Sequence, residues 1–274
     1  MRVWGGVRQK MITVTDLCDY VWCPYQVYLK KVKRIRPPPT PQMVRGTVIH
    51  KVKEDISRSE KILLMDRVGE GSGIDDIRKV IFDNAYQCAK NAVLKERARL
   101  EGAGLDPMDL LSELKRDLYY DSISTAAKLK RALERSDLPT ALESMYPECM
   151  MECMLEDGEL GLRGRIDRYE QVGDVSIPID YKSGSFKGEV TDSQRVQIAA
   201  YAIIMERNLN TRVPFGLIEY TNLDRILPVI VDDAARNDVM KILDEVKRIV
   251  YEKNEPEKNK DWRCSYCSFK EHCT

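Results

Sequence analysis

The sequence predicts a mixed α/β fold: a core sheet flanked by helices, with an all-helical insertion in its first half. Three observations predict it. Long stretches with helical spacing of apolar residues fill the first 140 positions. Short β-prone runs separated by turn residues follow after Pro139. The strand-like runs then alternate with two further helical segments, which requires a sheet covered by helices.

In chain order, Thr13 to Lys31 reads as a helix capped by Thr15 or Asp16 and interrupted at Pro24. Pro37-Pro38-Pro39-Thr40-Pro41 is a stiff extended connector, and Met43 to about Leu64 is helical. Gly69-Glu70-Gly71-Ser72-Gly73 is a turn. Asp75 to about Leu100 is amphipathic, with Ile77, Ile81, Ala85, Ala89 and Ala92 on one side, and Pro107 to about Arg135 is a second helical block. Glu148 to Leu155, Leu160 to Tyr169 and Val175 to Tyr181 form three strands of an antiparallel meander, because their links are too short for a crossover. Thr191 to Arg207 is a helix. Val213 to Tyr220 and Arg225 to Val231 pair through a turn at Asn222 and Asp224, and Asp232 to Tyr251 is the last helix. The expected organisation is one structural unit: a helical N-terminal segment (1–60), a helical insertion (61–140), a core (141–251) and a cysteine-bearing tail (252–274).

Lys+Arg and Asp+Glu balance at 44 each, which argues against a general polyanion binder. One basic strip stands out: Lys30, Lys31, Lys33, Arg34 and Arg36, read either as a solvated loop flank or as a phosphate-contacting strip. No apolar run has the length of a membrane span, and Met1 to Gly6 has no signal-peptide core, so a cytoplasmic protein without membrane contact is expected. There are only two histidines, His50 and His272, which disfavours a histidine-rich zinc hydrolase.

The chemistry centres on Gly164-Arg165-Ile166-Asp167 and Ile179-Asp180-Tyr181-Lys182. Side chains alternate along a strand, so Asp180 and Lys182 share a face and Tyr181 takes the other. Asp167, on the preceding strand, can approach Asp180. Two close carboxylates repel when ionised, and a hard divalent cation such as magnesium or manganese relieves that repulsion. Such an ion polarises a phosphate and lowers the pKa of bound water, while Lys182 orients the attacking water or offsets developing charge. Gln197 and Tyr201, four apart on one helix, share a face. His50 and Glu54 are likewise one turn apart, and Glu152 is a weaker candidate for a supporting carboxylate.

Eight cysteines remain, and clustered cysteines in a reducing compartment point to a metal. Cys264-x2-Cys267-x5-Cys273 needs a fourth ligand. Cys23, before Pro24, is the best candidate and Cys18 the runner-up; His272 is an alternative in a zinc site. By chemistry alone, zinc and an iron–sulfur cluster fit equally. Cys88, Cys149 and Cys153 read as ordinary thiols.

The ordered set Gly46-x3-His50, Gly164-x2-Asp167, Asp180-x-Lys182 and Gln197-x3-Tyr201 resembles RecB-type nucleases of the PD-(D/E)-x-K superfamily. That resemblance implies a cation held by His50, Asp167, Asp180 and the Tyr181 carbonyl, Lys182 as catalytic lysine, and Gln197 and Tyr201 as a helix signature. One distant N-terminal cysteine and three clustered C-terminal ones resemble the CRISPR-associated RecB-like exonucleases, the Cas-four proteins. This implies a [4Fe–4S] cluster on Cys23, Cys264, Cys267 and Cys273, with [2Fe–2S] as an alternative. It further implies trimming of single-stranded DNA ends of spacer precursors, beside spacer-integration proteins. A stand-alone RecB-like repair exonuclease and a DNA-binding assembly subunit with a degenerate core are the alternatives. The resemblance is poor over about 66–140.

Overall fold

The structure, a computed structural model, describes residues 11–69, 71–147, 149–184, 186, 188–220 and 225–273. The expected turn at Asn222 and Asp224, the strand start at Glu148 and the terminal Met1 to Gly6 lie outside these residues.

The N-terminal part holds a two-residue strand β1 (Ile12–Thr13), then α1 (Val14–Trp22), α2 (Pro24–Lys31) and α3 (Pro41–Arg67). Pro24 separates α1 from α2 as expected. The cap of α1 is Thr13 rather than Thr15 or Asp16: Thr13 Oγ1 accepts from the Asp16 N–H, and Asp16 accepts from the Thr13 N–H. Asp16 is therefore the N3 partner of the box. β1 is too short to leave a periodic signal, and the sequence alone does not reveal it.

Three long helices and two short ones follow: α3 continues into α4 (Ile74–Lys95), α5 (Arg97–Gly102), α6 (Pro107–Leu133) and α7 (Leu138–Met145). The expected single helix from Asp75 to Leu100 breaks at Glu96, whose φ −98° and ψ 8° are not helical. The turn redirects the chain so that Leu100 is buried with α3, α4 and α6. The helix α7 was unforeseen; Asp137 caps it with Pro139 in its first turn. The apolar stripe on α4 behaves as expected, with Ile77, Ile81, Ala85, Ala89 and Ala92 all buried. Two helical cores result, one around Val48, Val52, Ala89 and Leu114, the other around Leu64, Ile77, Leu129 and Leu142.

The sheet comprises β1, β2 (Cys149–Asp157), β3 (Leu162–Val172), β4 (Val175–Lys182), β5 (Phe215–Tyr220) and β6 (Arg225–Ile230). β2, β3 and β4 form the predicted antiparallel meander. β4 and β5 are parallel, joined over α8 (Asp192–Leu209), and β5 and β6 are antiparallel. α8 packs Ile198, Ala199, Ala200, Ala202 and Ile204 into the main core together with α1 and the last helix, α9 (Asp233–Tyr251). Asp232 caps α9. Close seating of α8 depends on Gly216: a Cβ there would meet Ile198 Cγ2 at 2.6 Å and the Pro178 carbonyl at 2.8 Å.

One edge of β3 is shared. β1 pairs in parallel with Leu162 and Arg163, and β4 pairs from Arg168 to Val172. The intervening segment, Gly164 to Asp167, belongs to neither ladder.

Candidate active site at the break in the β3 edge

The register of β3 on β4 ends at Arg168↔Ile179. The next positions outward are Asp167 and Asp180. There the strands stop exchanging backbone hydrogen bonds, and the Tyr181 N–H instead donates to Asp167 Oδ2 at 2.9 Å. On the other side, β2 pairs through Met151↔Arg168 and Cys153↔Ile166 and skips the position between them. The residue there, Glu152, has φ 52°, in the left-handed region a non-glycine residue seldom adopts. Both ladders flanking Asp167 are thus interrupted, as at strand irregularities that aim a side chain.

Asp167 and Asp180 are buried, at 7% and 2% exposure. Burial, and secondarily the Asp167 charge, push the Asp180 carboxyl above its ordinary range, while Lys182 opposes the shift. Lys182 Nζ lies 2.7 Å from Asp180 Oδ2, an ion pair within the cleft. The Lys182 ammonium is itself shifted upward: burial works against the charge, but Asp180 outweighs it.

Gln197 joins the parts. Its Nε2 donates to Asp180 Oδ1 at 2.5 Å and to the Tyr201 hydroxyl at 3.1 Å, and its Oε1 accepts from Lys182 at 2.9 Å. The amide thus faces the carboxylate with its donor and the ammonium with its acceptor. Tyr201 in turn donates to the Arg165 carbonyl at 2.8 Å, a backbone group in the stretch of β3 that neither β1 nor β4 pairs. Gly164 makes room for this: a Cβ there would meet Val14 Cγ2 at 2.9 Å and the Tyr201 ring at 3.0 Å.

His50 approaches from α3, with Nδ1 3.4 Å from Asp167 Oδ2. Burial lowers its pKa, but Asp167 and Asp180 more than compensate and the imidazole is shifted upward. The Tyr181 ring turns to the opposite face from Asp180 and stands edge-on to His50 at 6.0 Å. Glu152 Oε2 pairs with Arg165 Nε at 2.8 Å; burial raises its carboxyl, with the Asp167 and Glu54 charges adding to the shift and Arg165 opposing it.

All the predicted nuclease residues, His50, Asp167, Asp180, Tyr181, Lys182, Gln197 and Tyr201, line one cleft of about 970 Å³. Lys30, Lys31, Arg45, Arg163 and Arg165 line it as well. Of these, only the first two belong to the basic strip read from the sequence. Lys31 pairs with Asp16 at 2.5 Å and Lys30 with Asp19 at 2.5 Å, so the buried Asp16 and the half-buried Asp19 of α1 hold them at the rim. Arg45 is held by Glu113 of α6 and by the Ser183 carbonyl. Sequence spacing carries no sign of Arg45, because its partners are 68 and 138 residues away.

The tail returns to the N-terminal helices. Two short 3-10 turns, Trp262–Tyr266 and Lys270–His272, carry Cys264, Cys267 and Cys273. Arg263 donates to the Trp22 carbonyl, and Trp22 meets Trp262 edge-to-face at 6.0 Å. Tyr25 donates to Glu255 at 3.0 Å. Cys23 sits at the junction of α1 and α2, half-buried like the three tail cysteines. Burial raises the Cys267 thiol, and Cys23, Cys264 and Cys273 each raise it further. Cys18 lies apart: its Sγ–H points to the Ser193 carbonyl at 3.6 Å, near Lys182 and Asp180, and burial pushes it up to about 12. His272 is exposed. Among the described residues, no three His, Cys, Asp or Glu side chains stand close enough as placed to hold a metal ion together.

No curated protein matches the chain. Among solved structures it is similar to the crystal structure of SSO0001, at 22% identity over 58% of this chain and 75% of that one, with a TM-score of 0.31. The sequence matches the PD-(D/E)XK nuclease superfamily over residues 11–274. A match spanning nearly the whole chain, around a cleft built from paired aspartates and a lysine, places this protein in the PD-(D/E)XK nuclease superfamily.

Proposed function

We propose that the chain is a divalent-metal-dependent deoxyribonuclease that trims single-stranded DNA ends. The observation that carries this reading is the pair of buried aspartates, Asp167 and Asp180, at an opened strand edge with Lys182 Nζ 2.7 Å from Asp180 Oδ2. Two carboxylates and an imidazole suit a hard or borderline divalent cation such as magnesium or manganese. Asp167, Asp180, His50 and the Tyr181 carbonyl would hold it, and when bound it would supply Lewis-acid activation of a phosphate and of a water. Lys182, fixed between Asp180 and Gln197, orients the attacking water and offsets charge building on the phosphate. Gln197 keeps Asp180 and Lys182 in register, and Tyr201 anchors Gln197 to the Arg165 backbone. Arg45, Lys30 and Lys31 at the rim suit the phosphates of an incoming strand.

The same reading assigns a four-thiolate centre to Cys23, Cys264, Cys267 and Cys273. The Trp22–Trp262 contact and the Arg263 hydrogen bond to the Trp22 carbonyl bring the Cys23 junction to the cysteine-bearing tail, and the separate hydrogen bond of Cys18 disfavours it as the fourth ligand. We assign [4Fe–4S] there, with [2Fe–2S] or zinc as chemically compatible alternatives. Processing of CRISPR spacer precursors beside integration proteins is the cellular role that the resemblance to the Cas-four proteins implies, with stand-alone repair as the alternative.

Incubation of wild-type protein with end-labelled single-stranded and duplex DNA across a magnesium and manganese titration tests the reading. Stepwise shortening of the single strand that depends on metal supports it. Intact substrate at every metal concentration refutes it.

A further inference from the structure

The helical region around α4 and α6 holds Arg45 of the cleft through Glu113, and its outer surface runs on beyond that contact. That surface carries a continuous set of aromatic rings. Phe82 and Tyr86 of α4 stack with ring centres 5.8 Å apart and planes 2° from parallel. Phe82 meets Tyr119 of α6 edge-to-face at 5.7 Å, and Tyr119 meets Tyr120 at 5.9 Å. Packing of α4 on α6 accounts for Phe82 and part of Tyr119. It does not account for Tyr120, which is 64% exposed.

Cations border the rings. Lys90 and Lys115 lie 5.5 and 5.4 Å from the Tyr86 ring centre, and Arg78 lies 5.2 Å from that of Tyr119. Arg78 shares its charge with Asp75, but neither Lys90 nor Lys115 has a salt bridge among the described residues. The exposed Tyr119 and Tyr120 rings, with Lys90 and Lys115 beside the adjoining half-buried Tyr86, match the two parts of a single strand: bases stack on the exposed rings, and phosphates meet the ammonium groups.

The position fits as well. Glu113 holds Arg45 at the mouth of the cleft. Tyr120 follows Glu113 by two helical turns on the same line of α6, a distance of about 10 Å.

We propose that the outer face of α4 and α6 is a stacking platform for single-stranded nucleic acid, continuing the path of a strand whose end lies in the cleft. Its connection to the cleft rests on the nuclease reading, but binding to it is measured separately from cleavage.

The test is fluorescence anisotropy with labelled oligodeoxythymidines of six and twenty nucleotides, in EDTA so that nothing is cut. The longer strand is expected to bind wild-type protein more tightly than the shorter one. Tyr120→Ala is expected to weaken the longer strand about tenfold and leave the shorter unchanged, whereas Tyr120→Trp retains affinity. Lys115→Ala is expected to weaken the longer strand and reduce the slope of log affinity against log salt by about one. Tyr120 is exposed, so these variants are expected to melt like wild type. Equal affinity for both lengths, or a longer strand bound equally by wild type, Tyr120→Ala and Lys115→Ala, overturns the proposal; a surface that docks protein instead gives that result. Length-dependent binding that Tyr120→Ala weakens, together with no metal-dependent cleavage by wild type, upholds the platform and removes the nuclease reading.

Discussion

Gln197 meets three partners through one amide: Asp180, Lys182 and Tyr201. If this amide orients a metal-binding carboxylate, Gln197→Ala lowers metal-dependent cleavage about 10- to 100-fold and raises the metal concentration needed for half-maximal rate. A metal titration of the variant checks this. Gly164 answers to a steric demand rather than a chemical one. Gly164→Ala forces Val14 or the Tyr201 ring to move and is expected to destabilise the fold by about 1–3 kcal/mol in chemical denaturation. The Asp180 and Lys182 placement was legible in the sequence because strand alternation is local. The placement of Arg45, and the ion pair of Glu152, which the sequence offers as a supporting carboxylate, were not legible. They depend on neighbours brought together by the fold: Glu113 of α6 and Arg165 across the β2–β3 ladder.

Among the elements, α3 links the two halves of the molecule. One side of it is buried with α4 and α6 through Val48 and Val52, while His50 reaches Asp167. Farther along, buried Glu60 accepts a 2.7 Å hydrogen bond from Tyr146, just beyond α7. Burial raises the Glu60 carboxyl more than Tyr146 lowers it, so its folded pKa exceeds the unfolded one. The stabilising contribution of the neutral acid is therefore full below the unfolded pKa and is lost as pH rises through the folded pKa. Glu60→Gln, which keeps the acceptor and removes the charge, is expected to raise the melting temperature at pH 7 and change it little at pH 4. A lower melting temperature at pH 7 would show that the carboxylate itself is stabilising. Long helices and the meander were readable because their periodicity and turn residues are local. Strand β1, the break at Glu96 and helix α7 were not. The first is two residues long, and the break is set by where Leu100 is buried; α7 spans only two turns.

At the scale of the whole molecule, both ends of the described chain meet. Trp22 packs on Trp262, Arg263 binds the α1 carbonyls, and Tyr25 holds Glu255. A metal group on Cys23 and the tail cysteines would close a loop of roughly 240 residues, which restricts the unfolded chain by several kcal/mol. Anaerobically purified protein is expected to contain about four irons per chain on the [4Fe–4S] assignment, and chelation is expected to lower its melting temperature. Zinc in place of iron would correct the assignment, and an unchanged melting temperature would remove the structural role. The cysteine spacing suggests a metal site, and four thiolates alone do not distinguish iron from zinc.

The central claim is that Asp180, buried beside Asp167 at the broken edge of β3, is part of a metal-dependent nuclease site. The most direct measurement compares wild type and Asp180→Asn for manganese-dependent cleavage of single-stranded DNA, with circular dichroism confirming that both are folded. Asparagine keeps the shape and removes the charge, so the account predicts at least about a hundredfold loss of rate in a folded protein. Undiminished cleavage by folded Asp180→Asn would contradict it.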